Sequence, residues 1–164
     1  MNGDQRLYAI LKELGISFEY YEHQELPTAL EAEKVWKDID STHCKNLFFR
    51  NHKGNRHYLV ILEYSQKLDI RDLEQRLKQG KITLGSDRRL LENLGLTPGS
   101  VSPFGLINDK RKHVHIFFDK QLLQAKKLTF HPNINTASLV LDAGEFWRFI
   151  DWTGNSYEFI QLYD

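Results

Sequence analysis

One cysteine, Cys44, stands in 164 residues. A lone thiol cannot close an internal disulfide, so a stapled secreted scaffold is excluded and a reducing compartment is expected. An excess of charge is also missing, since 22 Lys and Arg balance 22 Asp and Glu. No global field then draws the molecule to nucleic acid or to an anionic membrane, and any such contact has to be local. No stretch approaches the roughly 20 apolar residues of a membrane-crossing helix. The opening "MNGDQRLYAILKELG" has acidic residues and an amphipathic pattern where a signal peptide needs a basic start and an apolar run. A cytoplasmic protein without membrane contact is expected. There is no Walker loop, GxGxxG, CxxC pair or GxSxG elbow, and neither an internal repeat nor a low-complexity segment.

What is there suits one ordinary domain, expected to span residues 1–164. Hydrophobic residues make up 41% and charged residues 27%, which is enough apolar material for a core. Leu7, Ile10, Leu11 and Leu14 recur at helical spacing and Gly15 follows as a stop. "ISFEYYEH" reads as a strand. Thr28 and Glu31 stand at capping-box spacing after Pro27, predicting a second helix to about Trp36. "CKNLFFR" and "HYLVILEY" flank the turn-forming "NHKGN" and predict a β-hairpin of central strands. "LDIRDLEQRLKQG" and "SDRRLLENLG" predict two amphipathic helices, the first stopped at Gly80 and the second running from a Ser86 cap to Gly95. "HVHIFFD" and "ASLVLD" are β-like, "GEFWRFIDW" is helical, and "YEFIQLYD" offers a short last strand. Helices and strands alternate irregularly around a tight hairpin. The class is therefore α/β or α+β, with a mixed central sheet flanked by helices.

Several residues can carry chemistry. "LGLTPGSVSPFGLIND" packs three glycines and two prolines into an apolar, nearly uncharged setting. Pro98-Gly99 is a turn dipeptide, and a loop running on through Ser100, Val101 and Ser102 to Pro103 either joins helix to strand or presents free amides to a carbonyl or oxyanion. Lys45 enters an apolar strand on the face of Leu47 and Phe49. Its ammonium either binds a phosphate or developing charge, or reaches water over a buried stem. Asn46, on the other face, is an ordinary strand-end hydrogen bonder. In "FHPNINT" the proline pushes His131 toward extended geometry in a polar loop, where it orients a ligand or simply holds the loop. His113 and His115 share a side of a strand with Asp119 nearby, but no further ligand lies at a diagnostic spacing, so no metal is expected. "DRR", "DKRKH" and "AKK" are short basic clusters that serve either as nucleic-acid contacts or as solvated surface.

Together "HCKNLFFRNHKGNRHYLVIL", "LGLTPGSVSPFGLIND" and "FHPNINTASLVL" resemble the YbaK-like family, the editing domains associated with prolyl-tRNA synthetase. The pattern is most similar to the freestanding ProX or PrdX type, which acts on alanyl-tRNA(Pro), and less to cysteinyl-tRNA(Pro) deacylases. The resemblance implies a mixed, partly barrel-like sheet and an aminoacyl-tRNA deacylase without cofactor. It assigns catalytic parts to Lys45, Gly99 and His131, and substrate contacts to Asn46, Ser100, Val101, Ser102 and Pro103. Within the likeness, Leu47, Phe104 or Leu106 would line a pocket that admits alanine and rejects proline.

The expected function is trans-editing: water attacks the aminoacyl ester of a mischarged tRNA, with alanyl-tRNA(Pro) the leading substrate. Cysteinyl- or seryl-tRNA is the alternative substrate, and a non-catalytic module that binds tRNA or a synthetase is the alternative of another class. The even charge balance implies that prolyl-tRNA synthetase or an elongation factor supplies part of the tRNA affinity.

Overall fold

The local signals form largely where the spacing puts them. In the computed structural model, which describes residues 1–25 and 29–164, Asp4 accepts from the Arg6 amide and starts α1 (Gln5–Glu13). Leu7, Tyr8 and Leu11 turn inward, and Gly15 at φ 69° lets the chain reverse. Strand β1 (Glu19–Glu22) follows, then α2 (Ala29–Trp36). The Thr28 half of the expected capping box lies outside the described residues. The hairpin is β2 (Thr42–Asn51) and β3 (His57–Glu63). Its turn is held by the Asn51 side chain, which accepts from the amides of Asn55 and Arg56 at 3.1 and 3.0 Å.

Helix α3 (Ile70–Leu77) is capped by Asp69 and ends two residues before the expected Gly80, because Lys78 takes the left-handed conformation at φ 57°. A short β4 (Ile82–Leu84) follows. Then comes α4 (Asp87–Leu94), with the Ser86 cap and the left-handed Gly95 stop that its sequence indicates. After it the chain passes the Pro98-Gly99 turn into a 3-10 helix over Pro103–Asn108. It continues through β5 (His115–Asp119), a second 3-10 turn over Lys120–Gln124, β6 (Lys127–Phe130), β7 (Ala137–Asp142), α5 (Ala143–Thr153) and β8 (Tyr157–Ile160).

The strands join in the order β1-β7-β6-β2-β3-β5-β8, with β4 added beside β2. The sheet is mixed: β2 pairs antiparallel with β3, and β3 pairs parallel with β5. It is open, with β1 and β8 at its ends, so the expected barrel character stops short of closure. Two apolar clusters form, divided by the alternation of β2. Cys44 and Phe48 join the larger one, with Phe104, Phe130, Phe146 and Phe149. Phe49 and Leu47 join the smaller, under Leu73 and Leu77 of α3. Among the described residues no helix is long and apolar enough to cross a membrane.

One irregularity prepares the site. On the side of β2 away from β3, β6 pairs in parallel only at Thr42 and His43, and β4 pairs only from Phe49 to Asn51. Between those ladders the sheet forks.

Candidate functional site

The fork holds a small cavity. It is lined by Cys44 and Asn46 of β2, Thr129 and Phe130 of β6, His131 just beyond it, Ser138 of β7 and Trp36 at the end of α2. The room for the centre of a water molecule is about 10 Å³, close to the least that holds one water. Period-two alternation sends Cys44 and Asn46 to this side. Burial pushes the Cys44 thiol well above its ordinary range, helped by the charge of Glu63, so it is not a ready nucleophile.

His131 is positioned by its neighbours in the loop. Its Nδ1 lies 2.8 Å from the Ala137 carbonyl oxygen. Because a carbonyl only accepts, Nδ1 carries the hydrogen. Burial, aided by the nearby His23, lowers the proton affinity of the ring and keeps it neutral. His23 follows β1. Its Nδ1 lies 2.8 Å from the Gln24 carbonyl and its Nε2 lies 2.8 Å from the Ser138 hydroxyl.

The Gly- and Pro-rich loop runs beside this wall. Thr97 to Ser100 close a turn through the Ser100 amide, which donates to the Thr97 carbonyl at 3.1 Å, with Gly99 at φ 88°. Pro at the second and a left-handed Gly at the third position is the pattern of a type II turn. A Cβ on Gly99 would stand 3.6 Å from Asn135 Nδ2, so the turn lies against the loop that follows His131. The amides of Gly99, Val101 and Ser102 bond to no described residue. Ser102 and Pro103 have a structural task as well: the Ser102 hydroxyl accepts from the Phe104 amide and Pro103 opens the 3-10 helix.

Lys45 is placed otherwise. It shares the opposite face of β2 with Leu47 and Phe49, half-buried, and its Nζ donates to the Gln66 carbonyl. Desolvation lowers its proton affinity against the pull of Glu63. The structure therefore gathers Asn46 and His131 at one cavity with the Gly99 turn alongside, and leaves Lys45 outside that lining. Phe104 and Leu106, expected as pocket walls, are wholly buried in the aromatic core. Leu47 packs on the α3 side, and Phe130 takes the wall position. Trp36, Thr129, Ser138 and His23 were not singled out by the sequence. A serine within the apolar "ASLVLD" was the one available signal.

The other histidines form a separate group. His57 Nδ1 lies 2.8 Å from His113 Nε2, and Arg89 Nη1 donates to His57 Nε2 at 3.0 Å and to the Gly54 carbonyl at 2.9 Å. His115 contacts Ser156 and Glu158 instead, and Asp119 accepts from the amides of Gln121 and Leu162. Among the described residues no three His, Cys, Asp or Glu side chains are grouped to hold a metal ion. The basic clusters are partly consumed: Arg89 in this group, and Lys127 in an ion pair with Glu19 at 3.2 Å.

Fold and site define an α/β domain with a small polar pocket beside unengaged backbone amides, equipment for holding a small acyl group. Residues 23–149 match the model of the aminoacyl-tRNA editing domain family. Over 164 residues the chain is 37% identical to the prolyl-tRNA editing protein ProX of Acetoanaerobium sticklandii, covering 99% of both. It is 31% identical to prolyl-tRNA synthetase associated domain-containing protein 1 of Xenopus laevis, over 94% of this chain and 95% of that one. The crystal structure of a candidate trans-editing enzyme for prolyl tRNA synthetase superposes with a TM-score of 0.70 at 19% identity, over 96% of this chain and 95% of that one. The chain belongs to the aminoacyl-tRNA editing domain family, and the class expected from its motifs, an aminoacyl-tRNA deacylase, is borne out.

Proposed function

We propose that the protein is a trans-editing deacylase that removes alanine from tRNA(Pro). The carrying observation is the 37% identity, end to end, with a protein named for prolyl-tRNA editing. The small fork cavity supports a sieve by size, in which alanine enters and the bulkier proline ring is refused.

The reaction needs no protein nucleophile. Water adds to the ester carbonyl, the tetrahedral oxyanion collapses, and the ribose oxygen leaves, giving free alanine and a tRNA with its terminal hydroxyl restored. In this reading the free amides of Gly99, Val101 and Ser102 hold the carbonyl oxygen as charge develops on it. Ser100 and Pro103 keep the turn in shape, and Asn46 and His131 hold the aminoacyl end. Lys45 stands where its two uncommitted N–H donors can meet the terminal phosphate or ribose and fix the ester in line. With no net charge to attract the tRNA body, prolyl-tRNA synthetase or an elongation factor supplies part of that affinity in a cytoplasmic setting.

The test is single-turnover release of labelled alanine from alanyl-tRNA(Pro), with prolyl-tRNA(Pro) and alanyl-tRNA(Ala) as controls. Release from alanyl-tRNA(Pro) alone, lost in Lys45→Ala, is the expected result. Turnover of a seryl or cysteinyl ester in its place overturns the substrate, and no turnover of any ester overturns the catalytic reading.

A further inference from the structure

The fork cavity is lined by atoms that accept hydrogen bonds and have nothing to accept from. His131 spends its one hydrogen on the Ala137 carbonyl, which leaves Nε2 with a bare lone pair. His23 spends its Nδ1 hydrogen on the Gln24 carbonyl, so its neutral Nε2 can only accept, and the Ser138 hydroxyl donates to it at 2.8 Å. Ser138 is wholly buried. With its proton committed to His23, it offers the cavity lone pairs alone. Asn46 Oδ1 is buried and has no partner among the described residues. Acceptors of three lining residues thus converge on room for one water-sized group.

Leaving such acceptors unmatched is costly, and a water cannot satisfy all of them, since it has two hydrogens for three acceptors. An ammonium is nearly water-sized, has three N–H donors and brings the positive charge that neutral acceptors favour. An aminoacyl ester carries one such group, its α-amine, on the carbon next to the reacting carbonyl.

We propose that the fork cavity is a recognition site for the free α-amino group of the aminoacyl ester. Ser138 is a specificity-determining residue that accepts from the amine, and His23 is a positioning residue that turns the Ser138 hydroxyl. The inference rests on the deacylase reading and adds to it the chemical class of the substrate. Esters with a free amine are cleaved; esters whose amine is acylated, as in formylated or peptidyl tRNA, or replaced by a hydroxyl are refused. A proofreading enzyme of this kind leaves initiating and growing chains intact by reading the same atom that distinguishes them.

The experiment compares alanyl-tRNA(Pro) with its lactyl counterpart, which differs only in bearing a hydroxyl for the amine, and with the N-acetylalanyl ester. Wild-type turnover of the alanyl ester tests the underlying reading by itself; if it is absent, that reading fails first. Given turnover, the lactyl ester is expected to react about 10- to 100-fold more slowly, the range for losing hydrogen bonds to a charged group, and the acetylated ester slower still. Ser138→Ala is expected to raise KM for the alanyl ester about 10-fold with little change in kcat and almost none for the lactyl ester, so that discrimination shrinks. His23→Ala should do the same, and His23→Gln, which restores an acceptor, should recover part of it. Equal rates for alanyl and lactyl esters in the wild type overturn the proposal. So does a Ser138→Ala variant that slows both esters alike, the result of a merely structural serine.

Discussion

Two histidine groups occupy this small protein, and they are built to opposite ends. In the group around His57, each nitrogen between Arg89 and His113 is engaged. Arg89 can only donate, so His57 Nε2 accepts from it, and His57 Nδ1 must then donate to His113. In the fork, His131 and His23 use one nitrogen each to fix a tautomer, and their remaining capacity faces the cavity directly or through Ser138. Both groups are desolvated. What separates a structural histidine from a working one here is unspent hydrogen-bonding capacity, which burial alone does not reveal.

The sharpest way to break the comparison is acid. His57 is held down to about 4 from the ordinary 6.5, mainly by burial and then by the adjacent His113, Arg89 and Arg50. Between those two pH values the unfolded chain takes up a proton that the folded chain refuses. Stability is therefore full above pH 6.5 and lost on acidification toward pH 4, by about 3 kcal/mol. Urea unfolding across that range measures it. In His57→Leu the acid slope should flatten while deacylation persists at neutral pH; an unchanged slope would assign the loss to other groups.

Next in size is His131→Ala. Removing an acceptor that meets the substrate should cost about 100-fold in kcat/KM with little change in the urea midpoint. A large fall in stability with intact turnover would move His131 into the structural class with His57.

The smallest effect is at Gly99. A Cβ there meets only Asn135 at an ordinary distance, so Gly99→Ala is strained by its φ of 88° rather than by crowding. A loss of about 1 kcal/mol in stability is expected. A larger loss in turnover would locate the turn's importance in its aim.

Much of this was legible beforehand. Ser86 and Gly95 bound their helix as punctuation predicts, and the Asn- and Gly-rich turn closes its hairpin. Short elements were not. β4 has three residues and β6 four, too few for a period to declare itself, and both exist because the long β2 offers them an edge. Lys78 ends its helix in a conformation that glycine would normally take, so the stop was read too late. At the site, Gly99, Asn46 and His131 were identified by their motifs. Ser138 and His23 lie in different strands of the chain, 115 positions apart, and only the fold brings them to one hydrogen bond.

The two-residue ladder between β2 and β6 has a consequence of its own. Where pairing stops, the fork begins, so the ladder's length works as a ruler for the guest. Each added rung would advance the closure by about 3.3 Å along β2, and one or two would zip shut the gap beside Cys44 and Asn46. Substrate size in such a protein can then be set by how far two strands stay together, with no change in any side chain that the substrate touches.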